Sequence, residues 1–494
     1  MSALTRRGFL AAAAASAAAG ADECGQAEAP RRAARSASRP AAGPATDVIR
    51  EPARDVPVAG RFDLCVVGGS CTGVFAAIAG ARLGASVCVV ENEGFFGGTA
   101  TASLVNIWHS LKDTEGKRKI IGGLTEEMLD RLKRRRAVRD RGRGGFALNP
   151  AEMVLELDEM LAEAKVRPML HTRFVAPVGK GGRLDAVIVE DKTARRAIRA
   201  GQFIDATGDG DLIHRMGLLT YKDDVVQPPT TCAILLGLDE IGRRNKGFRL
   251  GRAVFDPKHA EALKPGFLWS ARVPGLPDAT MVAGTRVHGA DCSDAGELTA
   301  AEIEGRRQVR AMCDILRKHY DGEEALGLAV LPGRIGIRES RHARCLHTLT
   351  QKEVLTGKRF DDAIANGSYP VDVHHADSDG LTFRYLDGRE AFVSPTTGRK
   401  SGRWREATPT NPTFYQVPYR SLVPTGSSNV LAAGRVIDAD RGAFGAVRVM
   451  VNCNQTGQAA GVAAALALGA GCGVADVDAA KLRKALQRQG AVII

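Results

Sequence analysis

Between residues 62 and 91 a buried strand, a glycine-rich turn, a small-residue helix and a second buried strand follow one another without interruption, and few folds accept that order. Phe62 to Val67 is short and mostly apolar, and it runs into Gly68-Gly69-Ser70-Cys71-Thr72-Gly73. Val74 to Ala79 reads as a helix that packs closely, and Ala85 to Val90 is a second apolar strand ending at Glu91. A parallel βαβ crossover of about 30 residues is what this pattern permits. Gly68 makes the tight turn, Gly73 lets the helix approach the strand, and the helix N-terminus offers free N–H groups to a pyrophosphate. At Glu91 a carboxylate can accept hydrogen bonds from both ribose hydroxyls of an adenosine. Ser70 replaces the middle glycine of the fingerprint; its Cβ narrows the phosphate approach, and Gly69 beside it restores some freedom. The reading is dinucleotide binding, against an α/β sheet that holds no nucleotide.

Further glycine-terminated segments decide between dinucleotides. Gly97-Gly98-Thr99 follows Glu91 closely, Ile204 to Asp211 adds a strand-to-loop crossing through Thr207 and Gly208, and Leu431 to Arg435 adds another at the far end. That is more than an NAD domain needs, and it suits FAD, whose pyrophosphate is wrapped from two sides.

Elsewhere, Leu124 to Arg134 and Pro150 to Ala164 read as helices, the second capped by Asn149. Met169 to Val175, Ala186 to Glu190 and Phe203 to Thr207 read as strands. The middle lacks nucleotide signatures and mixes strand-like Thr230 to Leu236, helical Ala300 to Tyr320 and turn-rich loops. Asn429 to Ala433 is a last buried strand, and Val447 to Leu468 a long small-residue helix. The expected fold class is α/β: a Rossmann-like FAD-binding domain with an inserted α+β substrate domain. Residues 61–217 and 415–470 form the two parts of the FAD-binding domain, 218–414 the substrate or cap region, and 471–494 a C-terminal tail helix.

The N-terminus reads as an address. Thr5-Arg6-Arg7-Gly8-Phe9-Leu10 is a twin-arginine pattern, Ala11 to Ala19 is weakly apolar, and Ala19-Gly20-Ala21 offers a cleavage site. Residues 1–21 are expected to be a signal peptide for twin-arginine export to the periplasm or cell envelope, and 22–60 a disordered Ala/Pro/Arg/Ser linker. The alternative is an Ala-rich tail with a chance arginine pair. No segment reads as transmembrane. The formal charge is +12, but no Lys/Arg stripe carries interleaved aromatics, so nucleic acid is not an expected partner. The ten cysteines form no Cys-x-x-Cys pair, so neither disulfide nor iron–sulfur cluster is expected, and no metal.

Val66 to Gly73, Glu91 to Asn106, Ile204 to Gly217 and Tyr419 to Gly461 resemble the FAD-dependent oxidoreductases of the glutathione-reductase-like fold. So do Gly336-Ile337-Arg338-Glu339-Ser340-Arg341 and Arg359-Phe360-Asp361-Asp362-Ala363-Ile364. Within that family the chain is similar to the branch containing the flavin subunit of heterodisulfide reductase, whose clustered cysteines it lacks. The resemblance implies that Gly68, Gly69, Ser70, Gly73, Glu91, Gly97, Gly98, Thr99, Thr207 and Gly208 line FAD. It implies that Gly434, Arg435, Gly457 and Gln458 reach the ribityl chain or flavin ring, and that Val175 holds the adenine through its backbone.

Flavin exchanges a hydride at N5, and the protein supplies position, charge and exclusion of water. N–H groups at the start of the Val447 helix would stabilise charge on the N1/O2 side, with Arg448 adding charge or binding an anionic substrate. His374, in Tyr369-Pro370-Val371-Asp372-Val373-His374-His375, and His109, beside Trp108, are proton-shuttle candidates, each against ordinary packing or loop exposure. Arg338 is an anion-site candidate against a structural ion network formed with Glu339 and Arg341; Tyr419 and Arg420 are similar. The function expected is hydride transfer between FAD and an unidentified small-molecule substrate, with an unidentified electron acceptor. The alternative is a flavin-bearing protein without redox activity that binds RNA or a cell-envelope polysaccharide.

Overall fold

The computed structural model describes residues 47–375, 379–395 and 397–494. The expected signal sequence and most of the expected linker therefore lie outside the described residues. The first strand is Val58–Val67, so ordered chain begins before Arg61, because Val58 and Gly60 already pair with Ala197 and Ile198.

Helix Cys71–Ala81 follows, with Ser70 as its cap, and strand Val87–Val90 returns parallel in register from Leu64 opposite Val87 to Val67 opposite Val90. The parallel sheet runs in the order Arg167–Met169, Val87–Val90, Val58–Val67, Arg195–Asp205. The outer edge of Arg195–Asp205 is shared. Its C-terminal end pairs parallel with Val430–Ala432, and its N-terminal part pairs antiparallel with Arg183–Glu190, which pairs in turn with Arg173–Lys180. The two distant ends of the chain thus meet in one sheet, Val430 opposite Phe203.

Two expected elements divide. Met169 to Val175 is not one strand: Arg167–Met169 ends the parallel sheet and Arg173–Lys180 starts the antiparallel part, with His171 between them at φ 49°. Nor is Val447 to Leu468 one helix. Arg441–Val447, capped by Asp440, ends at Arg448; Val449 is extended, and a second helix spans Met450–Ala470. No glycine or proline marks that break. It is set by packing, because Arg441–Val447 lies against strand Val371–His374, where a Cβ on Gly445 would overlap the Asp372 backbone. Arg448 therefore sits at a helix junction, and the N-terminus facing the site is that of Met450, correcting the expected start at Val447.

Helix Met450–Ala470 packs along Cys71–Ala81 through Gly457 and Gly461, whose absent side chains leave room for the Thr72 and Ala76 carbonyls. The middle of the chain builds two four-stranded antiparallel sheets. One runs Trp269–Arg272, Thr280–Ala283, Ala233–Leu236, Gly327–Val330, and residues Ala233, Leu235 and Val282 pack on Val309, Met312 and Leu316 of helix Ala295–His319. The other runs Val371–His374, Leu381–Arg384, Arg389–Ser394, Gly398–Arg403. Helix Ala479–Arg488 lies in the tail, after which the Gly490 carbonyl accepts from Gly123 N. Among the described residues no helix is long and apolar enough to cross a membrane.

Candidate active site

At the glycine-rich end, three backbone segments are laced together. Gly68, at φ 102°, donates its N–H to the Val90 carbonyl at 2.8 Å. Glu91 accepts from Gly69 N at 2.7 Å and from Glu93 N at 2.9 Å, so its carboxylate anchors the first turn. Gly97 N donates to the Gly69 carbonyl at 2.9 Å, and Ser70 and Gly97 form an isolated parallel bridge. The Ser70 hydroxyl accepts from Gly73 N at 3.4 Å, which caps the helix. The residue that breaks the glycine fingerprint thus serves the helix end. Asp205 organises the third segment by accepting from the Thr207 amide, the Thr207 hydroxyl and Ile213 N. Burial raises its carboxyl to about 6. Gly208 follows at φ 85°, with the Arg435 guanidinium where a side chain would stand. Arg435 pairs with Asp209 at 3.3 Å.

From these segments a cavity of about 620 Å³ extends under the two antiparallel sheets, within the usual range for small-molecule sites. Ser70, Gly97, Thr99, Thr207, Gly208, Gly434 and Arg435 line one end, and His109, Arg338, His374 and Arg448 line the other. The other sequence candidates lie outside its walls. Gly68, Gly69, Gly98 and Glu91 shape the turns behind them, and Gly73 and Gly457 serve close packing. The Val175 carbonyl accepts from Arg215. Gln458 faces Gly123, accepting from Leu124 N at 3.1 Å and donating to the Gln489 carbonyl at 3.3 Å. Tyr419 donates to the Val474 carbonyl, and Arg420 pairs with Asp362 at 3.0 Å.

The second end holds groups that sequence reasoning did not select. Asp372 accepts from Tyr369 OH at 2.8 Å and from Arg448 Nη2 at 3.2 Å, and His374 Nε2 lies 3.5 Å from its other oxygen. The rings of Tyr369 and His109 lie against each other, tilted by 35°, with centroids 4.0 Å apart. Burial, then the charges of Arg448 and Arg141, lower His109 to about 3. It lines the cavity. Burial first and Arg338, Arg286 and Arg448 next depress His374 as well, so both imidazoles are neutral near pH 7. Burial pushes the cavity thiols of Cys71, Cys232 and Cys453 up to about 12, which keeps them protonated. Phe267, Trp269, Leu381 and Phe383 supply apolar walls.

A flavin dinucleotide fits these residues. The glycine cradle and helix Cys71–Ala81 suit its pyrophosphate. Further along the cavity, buried Asn454 has neither amide atom bonded to protein, and Arg435 Nη1 lacks a protein partner too. Helix Met450–Ala470 begins there with no side-chain cap. Unmatched donors and an unmatched acceptor beside a positive helix end suit the polar edge of an isoalloxazine.

Solved structures with similar chain paths include a geranylgeranyl bacteriochlorophyll reductase-like protein from Thermoplasma acidophilum. It is 10% identical with a TM-score of 0.44, over 87% of this chain and 83% of that one. A flavoprotein/dehydrogenase from Cytophaga hutchinsonii is 12% identical with a TM-score of 0.42, over 86% and 83%. The p-nitrophenol 4-monooxygenase of Pseudomonas putida is 10% identical with a TM-score of 0.40, over 87% and 83%. No curated protein matches the sequence. A family profile described as FAD dependent oxidoreductase matches residues 63–486, taking in both ends of the parallel sheet and the chain between them. The chain belongs to the FAD dependent oxidoreductase family, with FAD as its cofactor.

Proposed function

We propose that this oxidoreductase moves a hydride between FAD and a small organic molecule held under the two antiparallel sheets. The observation that carries the reading is the continuity of one cavity from Ser70 and Gly208 to His374 and Arg338. FAD, when bound, exchanges a hydride at N5. The chain's own residues do the rest. The loops at Gly68–Ser70, Gly97–Thr99 and Thr207–Gly208 hold the dinucleotide, and Glu91 fixes the first loop and serves the ribose. The N-terminus at Met450 opposes negative charge on the ring. His374 Nδ1 has no protein partner, and both imidazoles are neutral, so they can accept a hydrogen bond from a substrate hydroxyl or amine and orient it. Phe267, Trp269 and Phe383 exclude water. Electrons leave to an acceptor outside the chain.

Purified protein is expected to show flavin absorption bands that bleach anaerobically with the right donor. Acid precipitation separates free FAD in the supernatant from a covalent link in the pellet. Well-folded protein that stays colourless after incubation with FAD would remove the reading.

Export folded around the cofactor through the twin-arginine route belongs to the same proposal, supported by Arg6-Arg7 before the apolar run. Replacing both arginines by lysine is expected to hold the protein in the cytoplasm. An unchanged yield outside the cytoplasm would refute the address.

A further inference from the structure

Three arginines from separate elements meet at this end of the cavity, Arg338 and Arg448 in its wall and Arg286 buried against Arg338. Arg286 follows strand Thr280–Ala283, Arg338 comes from the Gly336–Arg341 motif, and Arg448 from the helix junction. Arg286 and Arg338 both donate to the Thr230 hydroxyl, at 2.7 and 2.6 Å, so the two guanidinium groups lie side by side. Arg448 reaches the same region through Asp372. Among the described residues Asp372 is the carboxylate beside all three. Glu339, next to Arg338 in sequence, accepts from Gln227 N, lies 3.6 Å from His342 and also feels the charge of Arg448, which leaves three cations against two carboxylates among the described residues. His374 and His109 are neutral and cannot offset the excess. Arg286 is buried with Nη2 unbonded, and Arg448 Nε is unbonded too. Burial lowers both Arg338 and Arg286; the charges of Arg286 and Arg448 lower Arg338 further, whereas on Arg286 the pull of Asp372 exceeds the push of Arg448.

The dinucleotide does not account for this charge. Its phosphates belong at the glycine turns around Ser70 and Gly208, at the other end of the cavity, where Arg435 stands. An excess of buried cations costs stability unless an anion completes it, and guanidinium pairs match planar or tetrahedral oxyanions through several N–H groups at once. Phe267, Trp269, Leu381 and Phe383 wall the same end, so the anion has an apolar body.

We infer that the substrate of the proposed reaction is an organic oxyanion whose charged head lies at Arg338 and Arg448 and whose carbon body lies on Phe267 and Trp269. This rests on the reading of the cavity as a flavin site.

The test titrates the FAD-loaded protein with benzoate and phenyl phosphate, and with benzamide and benzyl alcohol as uncharged counterparts. Visible flavin absorption and tryptophan fluorescence, to which Trp269 contributes, are the readouts. At least one anion is expected to bind saturably and at least tenfold more tightly than its neutral counterpart; which one identifies a carboxylate or a phosphate head. Arg338→Gln is expected to weaken that anion about tenfold, with Arg338→Lys in between. Yellow protein that binds neither anion, binds the neutral compounds equally, or is indifferent to Arg338→Gln overturns this inference alone. Colourless protein overturns the flavin reading and this one with it.

Discussion

Gly73→Ala is expected to destabilise the protein by roughly 3 kcal/mol and to leave it unable to retain FAD. A Cβ at position 73 would overlap the Gly68 carbonyl oxygen, with the Ala206 side chain close behind. Neither neighbour has room to retreat. Gly68 is held at positive φ by its bond to Val90, and Ala206 N is bonded to the Val67 carbonyl. The helix must move instead, and with it the Ser70 cap and the N–H groups meant for the pyrophosphate. Alanine's better helix propensity returns only about 1 kcal/mol. Gly469→Ala supplies the control, because that helix position has no neighbour within contact distance, and propensity alone should stabilise it. Denaturant unfolding and FAD-to-protein stoichiometry measure both variants. Wild-type stability and stoichiometry in Gly73→Ala would contradict the packing argument.

The same contrast explains what could be read from the chain unaided. The turn from Gly68 to Gly73, the strand ending at Glu91 and the Asn149-Pro150 helix start are set by neighbours in sequence, so their geometry is written locally. The return of Val430–Ala432 to the first sheet was legible because a short apolar strand ending in glycine needs a sheet to join. The break at Arg448-Val449 was not, since those residues are as acceptable inside a helix as outside, and only the approach of Gly445 to Asp372 decides the matter. Asp372 itself stands between Val371 and Val373, where alternation reads it as a solvent-facing residue of a half-buried strand. The structure turns that face toward Arg448 and the cavity, so it is buried. Asn454 was hidden in a run of small and polar helix residues. Its importance lies in two amide atoms that find no protein partner, a property of the assembled fold that no spacing encodes. Arg286 and Arg338 carried no signal of their proximity, because their meeting depends on Thr230, far from both in sequence.

Glu91→Ala is expected to lower FAD affinity on the order of a hundredfold, corresponding to about 2.7 kcal/mol. Two losses combine. The buried carboxylate now satisfies Gly69 N and Glu93 N, and an alanine strands both amides, at about 1–3 kcal/mol for each that finds no water. The Gly69 amide belongs to the turn that approaches the pyrophosphate, so its release loosens the cradle before any cofactor arrives. The second loss is the acceptor for the ribose hydroxyls. Glu91→Gln separates the two contributions. Glutamine keeps one carbonyl acceptor but turns an N–H donor toward a second donor, so it holds the turn partly and is expected to bind FAD between wild type and alanine. Titration of apoprotein with FAD, followed by quenching of flavin fluorescence, gives the affinities, and unfolding of the same apoproteins reports the turn without the ribose. If alanine lowers apoprotein stability but not affinity, Glu91 only supports the loop. If neither changes, the convergence of the first turn and the second strand on the adenosine is not what holds the cofactor.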